Sequence, residues 1–453
     1  MTSDPAATTD TKAGPSSDRL TVRDSWRDAP ASLWMLLGGL ALNIFSGNWG
    51  LMNIPLGPDR LLIAAGLLLL LLDPRIPRPR PRALYAAMLV FGAWTVTSLV
   101  LVGDFSTGPV FAALDRVIMP FVLFATAPMI LRTSTERLVF LRTMTLLGLY
   151  LAVTAIFQAA GLHSLVFPGY ITDTTHVDGM PVADAARAGG PFLAGEANGM
   201  ALGLCGVLAF LLARLDRGGW RALGLLTGAL AGLASILSLT RSVWLGVFLA
   251  AVVVIASRPA LWRWLPMMGI VALLLSGAGV AAVPSVVENI ADRGMTSRSL
   301  YDRQNSNAAA LRAIHEHPVA GVGWARFGQV GSDWVRQGED YPVTTVDIEV
   351  HNVVLSRAVD LGLPAAGLFV GILLFGPVAA VTRRRADPVE EDWRLAGLAA
   401  TCVWFVPAMV SPIPYPFPSL LYFTIAGLLY ALPFRSSMSA DTVSGTEEVA
   451  TRP

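Results

Sequence analysis

Lysine is almost missing from this chain: Lys12 is the only one, so the other basic side chains are all arginine. Cysteine is nearly absent too. Cys205 and Cys402 both fall in apolar stretches, which excludes a disulfide framework and any cysteine-based metal site. Charged residues make up only 14% of the 453, with a formal net charge of +1, and no nucleic-acid partner is expected. No apolar run opens the chain; residues 1–30 are rich in Ser, Thr, Asp and Pro and read as a disordered tail, not a cleavable signal. Internal repeats are also lacking. Apolar residues are what the chain has in abundance, at 54% with a mean hydropathy of +0.58. Windows of roughly 18 apolar residues recur, about the length that crosses a bilayer core.

These windows predict an all-α integral membrane protein of about twelve transmembrane helices. The expected spans are 31–47, 57–72, 83–102, 110–130, 138–160, 197–213, 222–239, 242–257, 264–283, 351–381, 394–410 and 418–434, with a kink or break in the tenth at Gly362-Leu363-Pro364. Alternation puts the arginine clusters 75–82, 132–142, 214–221, 258–263 and 383–385 on one side, together with both termini. By the positive-inside rule that side is the cytoplasm, and the membrane is the cytoplasmic (inner) one. Residues 161–196 and the large extracytoplasmic loop 284–350 then lie outside, and 435–453 forms a second disordered cytoplasmic tail. The Pro-Arg alternation at 74–82 reads as a stiff cytosolic linker.

With the cytosolic arginines set aside, the outer side keeps Arg60, Arg116, Arg187, Arg241, Arg357 and six in the long loop. Arg241 stands at a turn between two spans, either snorkelling beside Trp244 or facing a ligand. Asp115-Arg116 reads as an ion pair or as part of a site. In the loop, a short helix is expected over Asn307–His317, with Arg303 near its N-terminus, where N–H groups and a guanidinium converge on an anion such as phosphate. A diffuse basic patch is excluded, because nine acids outnumber the loop's six arginines. Gly321-Val322-Gly323 reads as a tight turn. His351, after Asp347 and Glu349, is a candidate base near neutral pH or an unpaired interfacial histidine. Asp173, His176 and Asp178 lack a second histidine at helical spacing, so no metal site is expected.

Several stretches together resemble the O-antigen ligase and polymerase superfamily of membrane glycosyltransferases. They are Thr240-Arg241-Ser242-Val243-Trp244; Arg303 followed by a helix and His317-Pro318-Val319-Ala320-Gly321-Val322-Gly323-Trp324-Ala325-Arg326-Phe327; and His351-Asn352-x-x-Leu355 continuing to Asp360-Leu361-Gly362. Gly190-Pro191-Phe192 through Asn198 is a looser match, with Gly195-Glu196-Ala197 in place of the proline often found before the Asn. The resemblance implies a membrane glycosyltransferase of C-type architecture that moves a glycan from undecaprenyl pyrophosphate to a glycan, lipid or other hydroxyl acceptor. It implies no cofactor and no required metal, since the pyrophosphate leaving group is already a stable anion. Catalytic roles would fall to His351, Arg303 and Arg241, and substrate binding to Arg298, Arg187, Asn352 and Arg116. Ligase and polymerase share these motifs. Two other readings stand beside the enzyme: a twelve-span secondary transporter or flippase, which would show two pseudo-repeated halves, and a non-enzymatic envelope scaffold.

Overall fold

The computed structural model describes residues 29–54, 57–76, 82–173, 187–264, 266, 298–336, 350–411 and 415–432. Among them the regular structure is helical, with no strand. In chain order the helices are α1 (Ala31–Leu42), α2 (Pro58–Leu72), α3 (Ala83–Val102), α4 (Thr107–Ile130), α5 (Ser134–Ala159), α6 (Gly195–Leu215) and α7 (Gly218–Leu237). They continue with α8 (Arg241–Ser257), α9 (Arg298–Glu316), α10 (Val353–Leu361), α11 (Leu363–Thr382), α12 (Pro388–Ala408) and α13 (Pro416–Ala431). Six of the described helices are long and apolar enough to cross a membrane: α3, α4, α5, α6, α7 and α11. Three more (α1 with its 3-10 extension to Phe45, α8 and α13) are apolar but shorter, so a multi-pass membrane protein follows. The expected ninth span, 264–283, falls almost wholly outside the described residues, as do the two tails.

Local chemistry explains most helix ends. Thr133 and Glu136 form a reciprocal capping box at the start of α5. Asp387 accepts from Val389 N and Glu390 N ahead of Pro388, which opens α12. The expected single span 351–381 is two helices. Gly362 adopts φ +89 between them, and a side chain there would run into the Val319 carbonyl. Nine-residue α10 is too short to cross a bilayer core. Two helices contain a π turn: Leu374–Val378 in α11, at Pro377, and Leu114–Ile118 in α4. Close backbone approach sets the α1–α2 pair, since a methyl on Gly39 would sit 2.9 Å from Asp59 O and one on Gly66 3.0 Å from Ser32 O. The core runs along α6 and α13, which are buried on almost every side.

Polar contacts sort the bundle into two ends. At one end Arg142 pairs with Asp216 (2.8 Å), joining the start of α5 to the end of α6. Arg214 and Arg258 share Asp392 of α12. Arg82 donates to Tyr430 O, and Arg385 donates to Leu429 O and Leu432 O (both 2.6 Å), satisfying carbonyls that the end of α13 leaves open. The expected co-location of these arginine clusters is therefore what the helices deliver. At the opposite end lie the α3–α4 turn, the 187–194 turn, the α7–α8 turn, α9, α10 and the end of α12.

Candidate functional site at the arginine-poor end

The loop helix differs from the sequence expectation. Instead of spanning 307–317, α9 begins at Arg298, so Arg303 sits more than a turn inside it and its position gives no claim on the helix N-terminus. The polar run Arg298–Asn305 is helical because α9 buries a stripe. Ser306, Ala309, Ala310, Ala313 and Ile314 pack on Phe327, Trp334, Val350, Ala358 and Val359. Arg312 donates to Trp334 O (2.8 Å), and Trp334 Nε1 donates to Glu316 (2.9 Å), which accounts for one of the loop's acids.

The glycine-containing run after α9 docks this unit on the membrane helices. Gly321 (φ +68) and Gly323 (φ +106) let the chain lie flat along the end of α10: Val322 N donates to Val359 O (2.8 Å) and Gly323 N to Asp360 O (3.1 Å). A side chain on Gly321 would meet Val359 O at 2.5 Å. Gly321-Val322-Gly323 is thus a tight turn, as its sequence reads. Next, Trp324 plugs in between α3 and α4, its backbone N–H on Ser98 Oγ (3.0 Å) and its indole N–H on Pro109 O (3.1 Å). The carboxylate of Asp360 accepts backbone N–H groups of Ala325 and Phe327, closing the turn.

This docking sets the His351 backbone on the face of α9 that carries Arg303. The backbone N–H of His351 donates to Asn307 Oδ1 (3.3 Å), and Asn307 lies one helical turn from Arg303 on the same face of α9. Asn352 caps α10, its Oδ1 accepting from Val354 N and Leu355 N (both 2.9 Å), while its Nδ2 donates to Met409 O (3.0 Å) at the end of α12. Both arms of that amide are engaged within the chain. An N-cap role was readable in His-Asn-x-x-Leu, because Asn before an apolar helical run is a start signal.

A second pair forms on the α7–α8 turn. Arg241 is exposed at the first position of α8, after Leu239 in the left-handed region (φ 49). Arg187 lies alongside: Ala188 N donates to Leu237 O (3.1 Å), and Gly195 is wedged between Ser238 O and the Arg187 side chain. The Gly190-Pro191-Phe192…Asn198 stretch holds this position. Asn198 Nδ2 donates to Ala188 O (2.8 Å), Gln158 bridges Arg187 O and Gly190 N, and Asn48 and Tyr170 both donate to Pro191 O. Burial pushes the Tyr170 phenol up, so it stays a neutral donor there. The two pairs meet through α12. Gly246 of α8 packs against Cys402 and Val403 of the antiparallel α12, so Arg241 stands at the level of Met409, which Asn352 grips.

Arg116 has a different partner set from the one its neighbour suggested. Asp115 pairs with Arg60 (2.5 Å), because successive residues of a helix do not face each other. Arg116 instead is near Arg357 and Asp360 of α10. Arg357 is 5% exposed, its guanidinium lies 4.9 Å from the Trp324 ring centre and 5.8 Å from that of Phe369, and its Nε has no hydrogen-bond partner. Sequence reading counted Arg357 among the outer arginines but assigned it nothing; its place six residues after His351 was the available signal. Arg298 opens α9, about 13 Å along the helix axis from Asn307 at ~1.5 Å per residue. His176, Asp178, Asp347 and Glu349 lie outside the described residues, and among those described no cluster of metal-ligating side chains occurs.

Residues 226–370 match the family model described as O-antigen ligase. The matched stretch opens inside α7, closes inside α11 and contains Arg241, Arg298, Arg303, His351, Asn352 and Arg357. A search of curated proteins finds no match. The superfamily resemblance read from the motifs is thereby supported over about a third of the chain.

Proposed function

From the O-antigen ligase match as premise, we propose that this chain transfers a glycan from a polyprenyl (undecaprenyl) pyrophosphate carrier to an acceptor hydroxyl at the arginine-poor, extracytoplasmic end of the bundle. The observation that carries the reading is convergence. Arg241, Arg303 and His351, more than 100 positions apart at the extremes, are drawn to one end by the Asn307, Asn352 and Met409 contacts. Arginines suit the leaving group, since a guanidinium fork holds a phosphate in two places and stabilises the charge that grows as the bond breaks.

In this mechanism the acceptor oxygen forms a bond to the anomeric carbon while the bond from that carbon to the pyrophosphate oxygen breaks. The pyrophosphate leaves with the electron pair. The hydroxyl proton passes to His351, held at the mouth of α10 by its own backbone bond to Asn307. Arg241 and Arg303 hold the two phosphates, Arg187 supports Arg241, and Arg116 with Arg357 offers a further anion-binding pair between α4 and α10. The step balances without a metal ion. Arg298 and Asn352 remain at the rim, Asn352 acting by fixing the α10 start.

The test is genetic and biochemical. Arg303→Ala and His351→Ala are expected to abolish surface-glycan assembly while the protein still accumulates in the membrane. Normal glycan in both variants would sink the transferase reading.

A further inference from the structure

One apolar groove lies away from the site just described. A groove of about 660 Å³ runs between α6, α7, α8 and α12, walled by Gly203, Gly206, Gly228, Gly232, Val247 and Val254 and ending at Arg214, Arg221 and Arg258. It exists because α7 and α8 touch near their shared turn and then diverge. From Val247 to Arg258 on α8, and from Gly232 to Arg221 on α7, it covers about eleven residues, or roughly 16 Å at ~1.5 Å per residue. That is about half of a bilayer core of roughly 30 Å, the depth of one leaflet.

Its two ends differ. The upper end is sealed: a methyl on Gly199 would meet Ser238 Oγ at 2.7 Å and Val243 at 2.8 Å, and one on Gly246 would meet Cys402 O at 3.0 Å. Val247 is six residues below Arg241, about 9 Å along the helix, so a lipid head held at Arg241 has no path down into the groove. The lower end is open and positive. Arg214, Arg221 and Arg258 ring it, with Asp392 as the one acid in the lining, shared by Arg214 (3.7 Å) and Arg258. Three arginines against one carboxylate leave uncompensated positive charge where lipid phosphates lie.

We propose that this groove binds one anionic phospholipid of the leaflet at the arginine-rich end, with its phosphate on the Arg214–Arg221–Arg258 rim and an acyl chain along Gly206, Gly228 and Gly232. The sealed top excludes the glycan carrier proposed above. Residues 267–283 of the chain, which are apolar, contain no acid to neutralise the rim, so they are the poorer occupant.

Native mass spectrometry of the full-length protein in detergent, titrated with dioleoylphosphatidylglycerol or dioleoylphosphatidylcholine, reads this directly. The wild type should retain the glycerol lipid about tenfold more than the choline lipid. Arg214→Gln with Arg221→Gln, both exposed, should bring the two to the same level. Gly232→Leu should block both lipids; no atom lies within 4 Å of an added Cβ there, so the helix accepts it. Equal retention of the two lipids by the wild type would overturn the proposal, as would unchanged retention in both variants. So would efficient disulfide formation between Gly232→Cys and a cysteine placed within 267–283, which would put the chain itself in the groove.

Discussion

Replacing Arg357 with methionine should raise stability and lower activity at once. The Arg357 Nε is buried without a hydrogen-bond partner, a state that costs about 1–3 kcal/mol for a polar group. Against that, the stacking on Trp324 and Phe369 contributes about 0.5–2 kcal/mol, and methionine keeps part of the same packing. Asp360 is not stranded, because its carboxylate still accepts two backbone N–H groups. The balance favours the variant by about 1 kcal/mol, because Arg116 still faces Asp360 and the carboxylate is not left as an uncompensated buried charge. If the guanidinium contacts a phosphate of the substrate, its loss removes about 1.5–3 kcal/mol of charge-assisted hydrogen bonding, which is about 10- to 100-fold in rate. Chemical denaturation of purified protein and transfer from lipid-linked glycan in membrane vesicles measure the two effects separately. A variant that is both less stable and less active would refute the reasoning, because Arg357 would then be a structural cation. Full activity would remove it from the anion-binding set.

Arg241→Lys should fail to restore glycan transfer at wild-type levels, since a lysine ammonium cannot make the two-point contact with phosphate; normal transfer would mean that charge alone suffices. Asn352→Asp should keep the α10 cap but lose the donation to Met409 O, while Asn352→Ala forfeits both, the cap alone being about 1 kcal/mol; hydrogen exchange at Val354 and Leu355 should show fraying in the alanine variant and not in the aspartate one. Gly362→Ala should destabilise the chain by more than the ordinary ~1 kcal/mol of a glycine replacement, since its φ of +89 and the Val319 carbonyl both oppose a side chain; an unchanged unfolding midpoint would contradict the docking geometry. Arg142→Ala should cost about 3 kcal/mol by leaving the half-buried Asp216 with only the Arg217 N–H, seen as poor accumulation in the membrane.

Much of the architecture was legible because hydropathy and arginine placement are both properties of short segments. The clusters at 132–142, 214–221, 258–263 and 383–385 do gather at one end, and the break at Gly362 is where Gly-Leu-Pro announced it. The start of α9 was not legible, because Arg298–Asn305 is polar and helical only through the tertiary stripe that follows it. Asp115 was assigned the wrong partner because pairing across helices, here with Arg60 some 55 positions away, leaves no local trace. Arg357 was passed over for a related reason. Its significance lies in what surrounds it, Trp324 from the loop and Arg116 from α4, and neither is near it in sequence.

The charge sum of the long loop argued against a diffuse basic patch, but local pairing decides what a phosphate would meet, both in the loop and in the helices beside it. Acids near the site are already engaged in holding the fold: Glu316 on the Trp334 indole, Asp360 on the turn after Trp324, Asp115 on Arg60, Asp59 on Asn43 and Trp49. Arg116 and Arg357 lie within one another's field, and the Asp360 carboxylate, close to both, compensates them only in part. On the function proposed above, a diphosphate bound beside the pair would supply the missing compensation, so Arg116→Gln should weaken retention of the lipid-linked donor several-fold while leaving the unfolding midpoint unchanged; unchanged donor retention would remove Arg116 from the anion-binding set.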